Sequence, residues 1–175
     1  MNVSFISHLN TFKGCNQYTT EHAQMLRTVS TKYGTFQVLE SDAAFYECMS
    51  KGNSWDGVLL DSLMDQIPDH GTILDVGGHI GTHAIPYSIR HPHAQVVTFE
   101  PQCYLRALLH ANQVANQVTN LQIIPYGAGH ITRSVRLASD FTSDGYAPDI
   151  KVDYMTTRSV NFGGLGVTND PAGEE

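Results

Sequence analysis

Positive charge is scarce in this sequence: Lys and Arg number 10 against 17 Asp and Glu, a formal net charge of −7. That balance argues against nucleic acid or an anionic membrane surface as the main partner. Cysteine is sparse as well. Cys15, Cys48 and Cys103 form an odd set with no C-x-x-C spacing, the pattern of a reduced cytoplasmic protein rather than a disulfide scaffold. Long apolar runs are missing too. No stretch approaches membrane-spanning length, and the N-terminus MNVSFISHLN lacks a basic segment followed by a signal-peptide core. The expectation is a soluble, cytoplasmic chain with no membrane contact, no internal repeat and no low-complexity tract. Nine histidines are present, yet the close pair His91-Pro92-His93 reads as a surface turn at a helix end, so no metal site is expected.

What remains is ordinary globular material. One domain is the default for 175 residues with 41% apolar content. From Asp140 onward seven acids face only Lys151 and Arg158, and this C-terminal excess reads as a solvated surface. Periodicity predicts a helix over 18–30, a strand over 35–39 and a helical turn over 42–50. Residues 55–67 carry an amphipathic helix pattern that ends before Pro68. Then comes a strand over 72–76, mostly apolar, that suits burial on both faces. A glycine loop follows, and a helix to about Arg90 with Pro86 in its first turn. A strand over 95–99, a helix over 102–116 carrying Leu105, Leu108, Leu109 and Val114 toward the core, and a strand over 121–124 complete a β-α-β-α-β order. Further strands are expected over 134–138 and 151–154, before a glycine-rich, polar tail. The order predicts an α/β fold, three-layer and Rossmann-like, with a mainly parallel sheet and ligands at the strands' carboxyl ends. The expected organisation is an irregular or helical region 1–54, a ligand-binding unit 55–160 and a tail 161–175.

The loop in GTILDVGGHIGTHA chooses the ligand. Gly77, Gly78 and Gly81 allow backbone angles or approaches that a side chain would block. A dinucleotide loop would continue G-x-G-x-x-G, but from Gly77 those positions hold His79 and Thr82. Asp75, at the strand end, would also oppose a pyrophosphate. S-adenosylmethionine reverses the sign: it has no phosphate, and its sulfonium and ammonium welcome an acid. Glu100 closes the second strand, 25 residues after Asp75, where a carboxylate accepts hydrogen bonds from a ribose diol.

The segment ILDVGGHIGTHAI with VVTFEPQCYLRALLHANQVANQVTNLQIIPYGAG resembles the FkbM family of S-adenosylmethionine-dependent methyltransferases, a class I, Rossmann-like group. The matching features are Asp75-Val76-Gly77 with Ile80-Gly81, then Phe99-Glu100-Pro101, then Leu109, Asn112 and Asn116, with Asn120 and Ala128 around the third strand. The family has Ala-Asn where this chain has Gly78-His79. The resemblance covers about residues 55 to 130. It implies cofactor contacts at Asp75, Gly77, Gly78, His79, Gly81, Thr82, Glu100, Pro101, Gly127 and Ala128. It also implies O-methylation of a small-molecule or sugar hydroxyl.

The family's acidic D-x-E-G-x-E motif does not occur here, and 46 residues follow Gly129 (175 − 129). The C-terminal strands of the fold are therefore expected to be missing, leaving an open sheet edge that either residues 130–160 fold back over or two chains cover by pairing, and the short, glycine-rich, acidic tail favours pairing. No general base is named. His130, Asp140 and Asp144 read as surface-loop residues, Cys103 as a packing residue, and His83 as a residue that packs on its helix. The alternatives are a non-catalytic S-adenosylmethionine-binding module and a nucleotide-dependent oxidoreductase.

Overall fold

The computed structural model describes residues 25–40, 42–129, 134–137 and 155–161. It is an α/β structure with a parallel sheet, Rossmann-like as the element order predicts. The described chain opens with a hairpin, β1 (Leu26–Thr31) and β2 (Gly34–Leu39), paired antiparallel from Leu26 with Leu39 to Thr31 with Gly34. This corrects the helix expected over 18–30; residues 18–24 lie outside the described residues. Leu26 and Val29 stand three apart, a spacing that also fits a helix, but the run Leu-Arg-Thr-Val-Ser-Thr is rich in β-branched residues, and pairing with β2 buries both.

Two helices follow, α1 (Ala43–Ser50) and α2 (Gly57–Met64). α2 is shorter than the predicted 55–67, and it buries Leu60 and Met64 while leaving Val58 and Leu59 exposed. The parallel sheet has the order β3-β4-β5, with β3 at Gly71–Val76, β4 at Ala94–Phe99 and β5 at Leu121–Ile124. Helix α3 (Ala84–Arg90) joins β3 to β4, and α4 (Cys103–Ala115) joins β4 to β5. Pro86 falls in the first turn of α3, where its missing N–H has no intrahelical role.

β3 is not buried on both faces as expected. Among the described residues it is an edge of its sheet, and Leu74 and Val76 are 50% and 55% exposed. The other face of the sheet aligns Ile73, Val96 and Leu121 across the register. That face joins one core with Phe36, Val38, Met49, Leu60, Ile85, Leu105, Leu108 and Leu109. Val114, assigned to the core from its spacing, is 60% exposed: it lies on the solvent side of α4, whose inward face is already filled by Leu105, Leu108 and Leu109.

Beyond β5, β6 (Gly127–Gly129) pairs parallel with β8 (Met155–Asn161), and β7 (Ser134–Leu137) pairs antiparallel with β8. The strand expected over 151–154 and the tail from 162 lie outside the described residues. Among the described residues no helix is long and apolar enough to cross a membrane.

Three asparagines join these parts. Asn112 and Asn116 stand one helical turn apart on α4 and face the outer edge of β2. Asn112 Oδ1 accepts the Gln37 N–H at 2.6 Å, and its Nδ2 donates to the Gln37 and Ile80 carbonyls at 3.3 and 2.9 Å. Asn116 repeats the pattern on Thr35, with 2.8 Å to its N–H and 2.6 Å to its carbonyl. Two side-chain amides thus act as a substitute strand for β2 and satisfy backbone groups that would otherwise be stranded. Asn120 Nδ2 gathers the carbonyls of Ser88, His91 and Ala94 and so closes the turn between α3 and β4. Asn112→Ala leaves three backbone groups without those bonds, the two of Gln37 partly buried and that of Ile80 buried. Urea unfolding is expected to show a loss of about 2–3 kcal/mol, against less than about 0.5 kcal/mol for Val114→Ala.

Candidate functional site

The glycine loop leaves β3 at its carboxyl end and is bound down along most of its length. The N–H groups of Gly77 and Gly78 both donate to the Phe99 carbonyl, at 2.9 and 3.0 Å. The His79 N–H donates to Glu100 Oε2 at 2.9 Å, and the Gly81 N–H to the Gly78 carbonyl at 2.7 Å. Gly77 (φ 90°), His79 (φ 49°) and Gly81 (φ 93°) take left-handed conformations to make this path.

The glycines differ in what they permit. A Cβ on Gly78 would sit 2.1 Å from Thr98 Oγ1, so Gly78 lets the loop close over β4. On Gly81 it would meet Leu109 and Ile85 side chains at 2.5 and 2.7 Å, which marks a packing contact. On Gly77 it would meet nothing within 4 Å. Gly77 therefore borders open space beside both strand ends, where a ligand can approach the backbone. Thr82 is buried.

Two carboxylates flank this space. Asp75 lies opposite Thr98 in the register, and the Thr98 hydroxyl donates to Asp75 Oδ2 at 2.7 Å. Burial pushes the Asp75 carboxyl above its ordinary range, while the Thr98 hydroxyl and the nearby His83 ring pull it down. Glu100 is 4% exposed. Its two oxygens accept the N–H groups of His79 and Gln102, the latter at 2.8 Å. Burial nevertheless raises its carboxyl to about 7, opposed by those two N–H groups and by the Arg106 charge, and aided by Asp75. Arg106 donates to the Glu100 and Pro101 carbonyls and fixes the corner after β4.

The sequence-predicted site residues thus fall into distinct places. Asp75, Gly77, Gly78, His79, Gly81 and Glu100 meet around the strand ends. His79 contributes its backbone, while its ring packs at 4.5 Å on Phe45, which stacks on Trp55 at 3.9 Å. Burial holds that imidazole near 4, so it is neutral at physiological pH. Pro101 is half-buried, and a Cβ on Gly127 would come within 3.9 Å of its ring, so these two share the next strand end, with Ala128 buried beside them. Cys103 opens α4. His130, Asp140 and Asp144 lie outside the described residues. His91 is not the surface residue its proline neighbour led us to expect. It is 2% exposed and pairs through Nδ1 with Asp69 at 3.2 Å, while the rings of His93 and His70 stack at 5.4 Å.

Sequence reasoning passed over Thr98 and Arg106. A polar Thr within the apolar run Val96-Val97-Thr98-Phe99, on the strand that follows the Asp75 strand, was the available signal for the first. The second carried none.

No family model matches the chain, and no curated protein matches it. Among solved structures it is similar to a Pyrococcus horikoshii protein that carries the provisional name transferase, with 11% identity and a TM-score of 0.45. That likeness covers 59% of this chain, which spans only 37% of the other protein.

The Glu100 carboxyl gives the site a pH signature. Folding raises its pKa from 4.5 to about 7, so the folded chain keeps a proton that the unfolded chain has released. Its contribution to stability is full below about pH 4.5 and declines as pH rises toward 7. The expected decline is on the order of 3 kcal/mol across that window, read from urea midpoints, and flattened in Glu100→Gln.

Proposed function

We propose that this chain is an S-adenosylmethionine-dependent methyltransferase of FkbM type, acting on a hydroxyl of a small molecule or sugar. One observation carries the reading: the loop spends its N–H groups on its own scaffold and presents carboxylates instead. The N–H groups of residues 77, 78, 79 and 81 already have acceptors, so the loop has little left with which to cradle a pyrophosphate. Asp75 and Glu100 would repel one. The same features favour a phosphate-free cofactor with a positive charge and a ribose diol.

The residues fit that group. Open space at Gly77 admits the methionine part against the backbone. Asp75 lies beside it for the cationic groups, and Glu100 has lone pairs beyond the two N–H bonds for the diol hydroxyls. Pro101, Gly127 and Ala128 border the next strand end, toward the adenine. When bound, the cofactor supplies an electrophilic methyl on a sulfonium. The chain's share is orientation, and rigid placement of the two reactants accounts for most of the acceleration available in such a displacement.

The test is calorimetry with S-adenosylhomocysteine and with NAD. The expected result is binding of the first and none of the second. Gly77→Val fills the open space beside the strand ends and is expected to abolish binding while leaving the cooperative unfolding transition in place. Normal binding by Gly77→Val would move the ligand elsewhere.

A further inference from the structure

The outer strand of the parallel sheet keeps one side open along its whole length. The Gly77 N–H donates to the Phe99 carbonyl of β4, and β3 and β4 stay in unbroken parallel register from Gly71 to Val76. Peptide groups alternate in direction along a strand. Ile73 and Asp75 therefore bond toward β4, while the N–H and C=O groups of Thr72, Leu74 and Val76 point the other way. No described residue takes those groups, and the side chains of the same three residues are exposed. Edge strands in natural proteins are commonly shortened, bulged or fitted with lysine or proline, which prevents pairing. β3 has six residues, Gly-Thr-Ile-Leu-Asp-Val, with no lysine, no proline and no bulge against β4. Its one charge, Asp75, lies on the face shared with Ile73, where the Thr98 hydroxyl donates to it at 2.7 Å.

We propose that this edge binds the same edge of a second copy of the chain, antiparallel across a two-fold axis at Leu74. Residues opposite each other in a sheet point to the same face, so the axis of such a pairing falls on a residue of the strand. An axis at Asp75 would set two acids against each other, which is unfavourable. An axis at Ile73 would leave Val76 beyond the end of the facing strand. The axis at Leu74 pairs Leu74 with its own copy, and Thr72 with Val76 of the second copy in both directions. Every outward N–H then meets a carbonyl, and Asp75 lies opposite Ile73. The exposed Leu74 side chains cover each other, Val76 packs on Thr72, and two three-stranded sheets become one of six strands. Thr72, Leu74 and Val76 are uncharged, as two chains of net charge −7 require if they are to meet, and an acidic or basic partner finds no counter-charge there. The inference does not depend on which ligand the glycine loop takes.

Sedimentation equilibrium of the full chain over a concentration series is the test, and the expected result is a concentration-dependent dimer. Leu74→Lys sets two ammonium groups against each other on the axis. It is expected to leave monomer at the same concentrations, with the cooperative urea transition retained. Leu74→Pro removes the outward N–H and leaves the bonds to β4 in place, and it is expected to do the same. Thr72→Lys combined with Val76→Glu puts opposite charges across the pairing. That chain is expected to keep the dimer and to dissociate more readily as salt rises. A wild-type chain that stays monomeric at every concentration overturns the proposal. So does a dimer that survives both Leu74 variants, or one that is lost in the cooperatively folded Thr72→Lys, Val76→Glu chain.

Discussion

The buried carboxylate of Glu100 is the constraint on which the site depends. It ties three things together: the end of β4, the middle of the glycine loop through His79, and the approach to α4 through Gln102. Burying an acid is costly, and the upward displacement of its carboxyl to about 7 measures that cost. Two backbone N–H groups and the neighbouring Arg106 offset only part of it. A group held so unfavourably gains from any ligand that donates hydrogen bonds to it. In the proposed reading that ligand is a ribose diol.

Rigidity reaches the loop from the far side of the molecule. Asn112 is fully buried and bonds both to β2 and to the Ile80 carbonyl, so the N-terminal hairpin and the glycine loop share one side chain. Asn116 extends the same contact, and a Cβ on Gly34 would meet its Oδ1 at 2.6 Å, which explains the glycine at the start of β2. The hairpin turn is held to α2 as well, where Lys32 and Tyr33 both reach Asp61. The hairpin therefore supports the glycine loop through a shared side chain.

Much of this was legible in the sequence, and the reasons are specific. Strands β3, β4 and β5 are short apolar runs bounded by turn residues, and α4 has a clear apolar stripe, so their places and order were readable. Asp75 and Glu100 stood out in the sequence because each is an acid closing a short apolar run. The strand over 35–39 was readable, but its partner β1 was missed because the run around residues 26–31 suits either period until its pairing is known. Val114 and the exposed face of β3 were misjudged for a related reason: apolar character does not say which surfaces find a cover. The asparagines showed up as a spacing, but an amide that serves as a strand for a distant segment leaves no local pattern.

The most direct test of the central claim is the proton balance of ligand binding. A ribose diol that donates to Glu100 favours its ionised form, so binding should drive off the proton this carboxyl retains near pH 7. The measurement is the heat of S-adenosylhomocysteine binding in buffers of different ionisation enthalpy. The account predicts net proton release at about pH 6.5, absent at about pH 8.5 and absent in Glu100→Gln. Binding without proton release at the lower pH, or release that persists in Glu100→Gln, would contradict it.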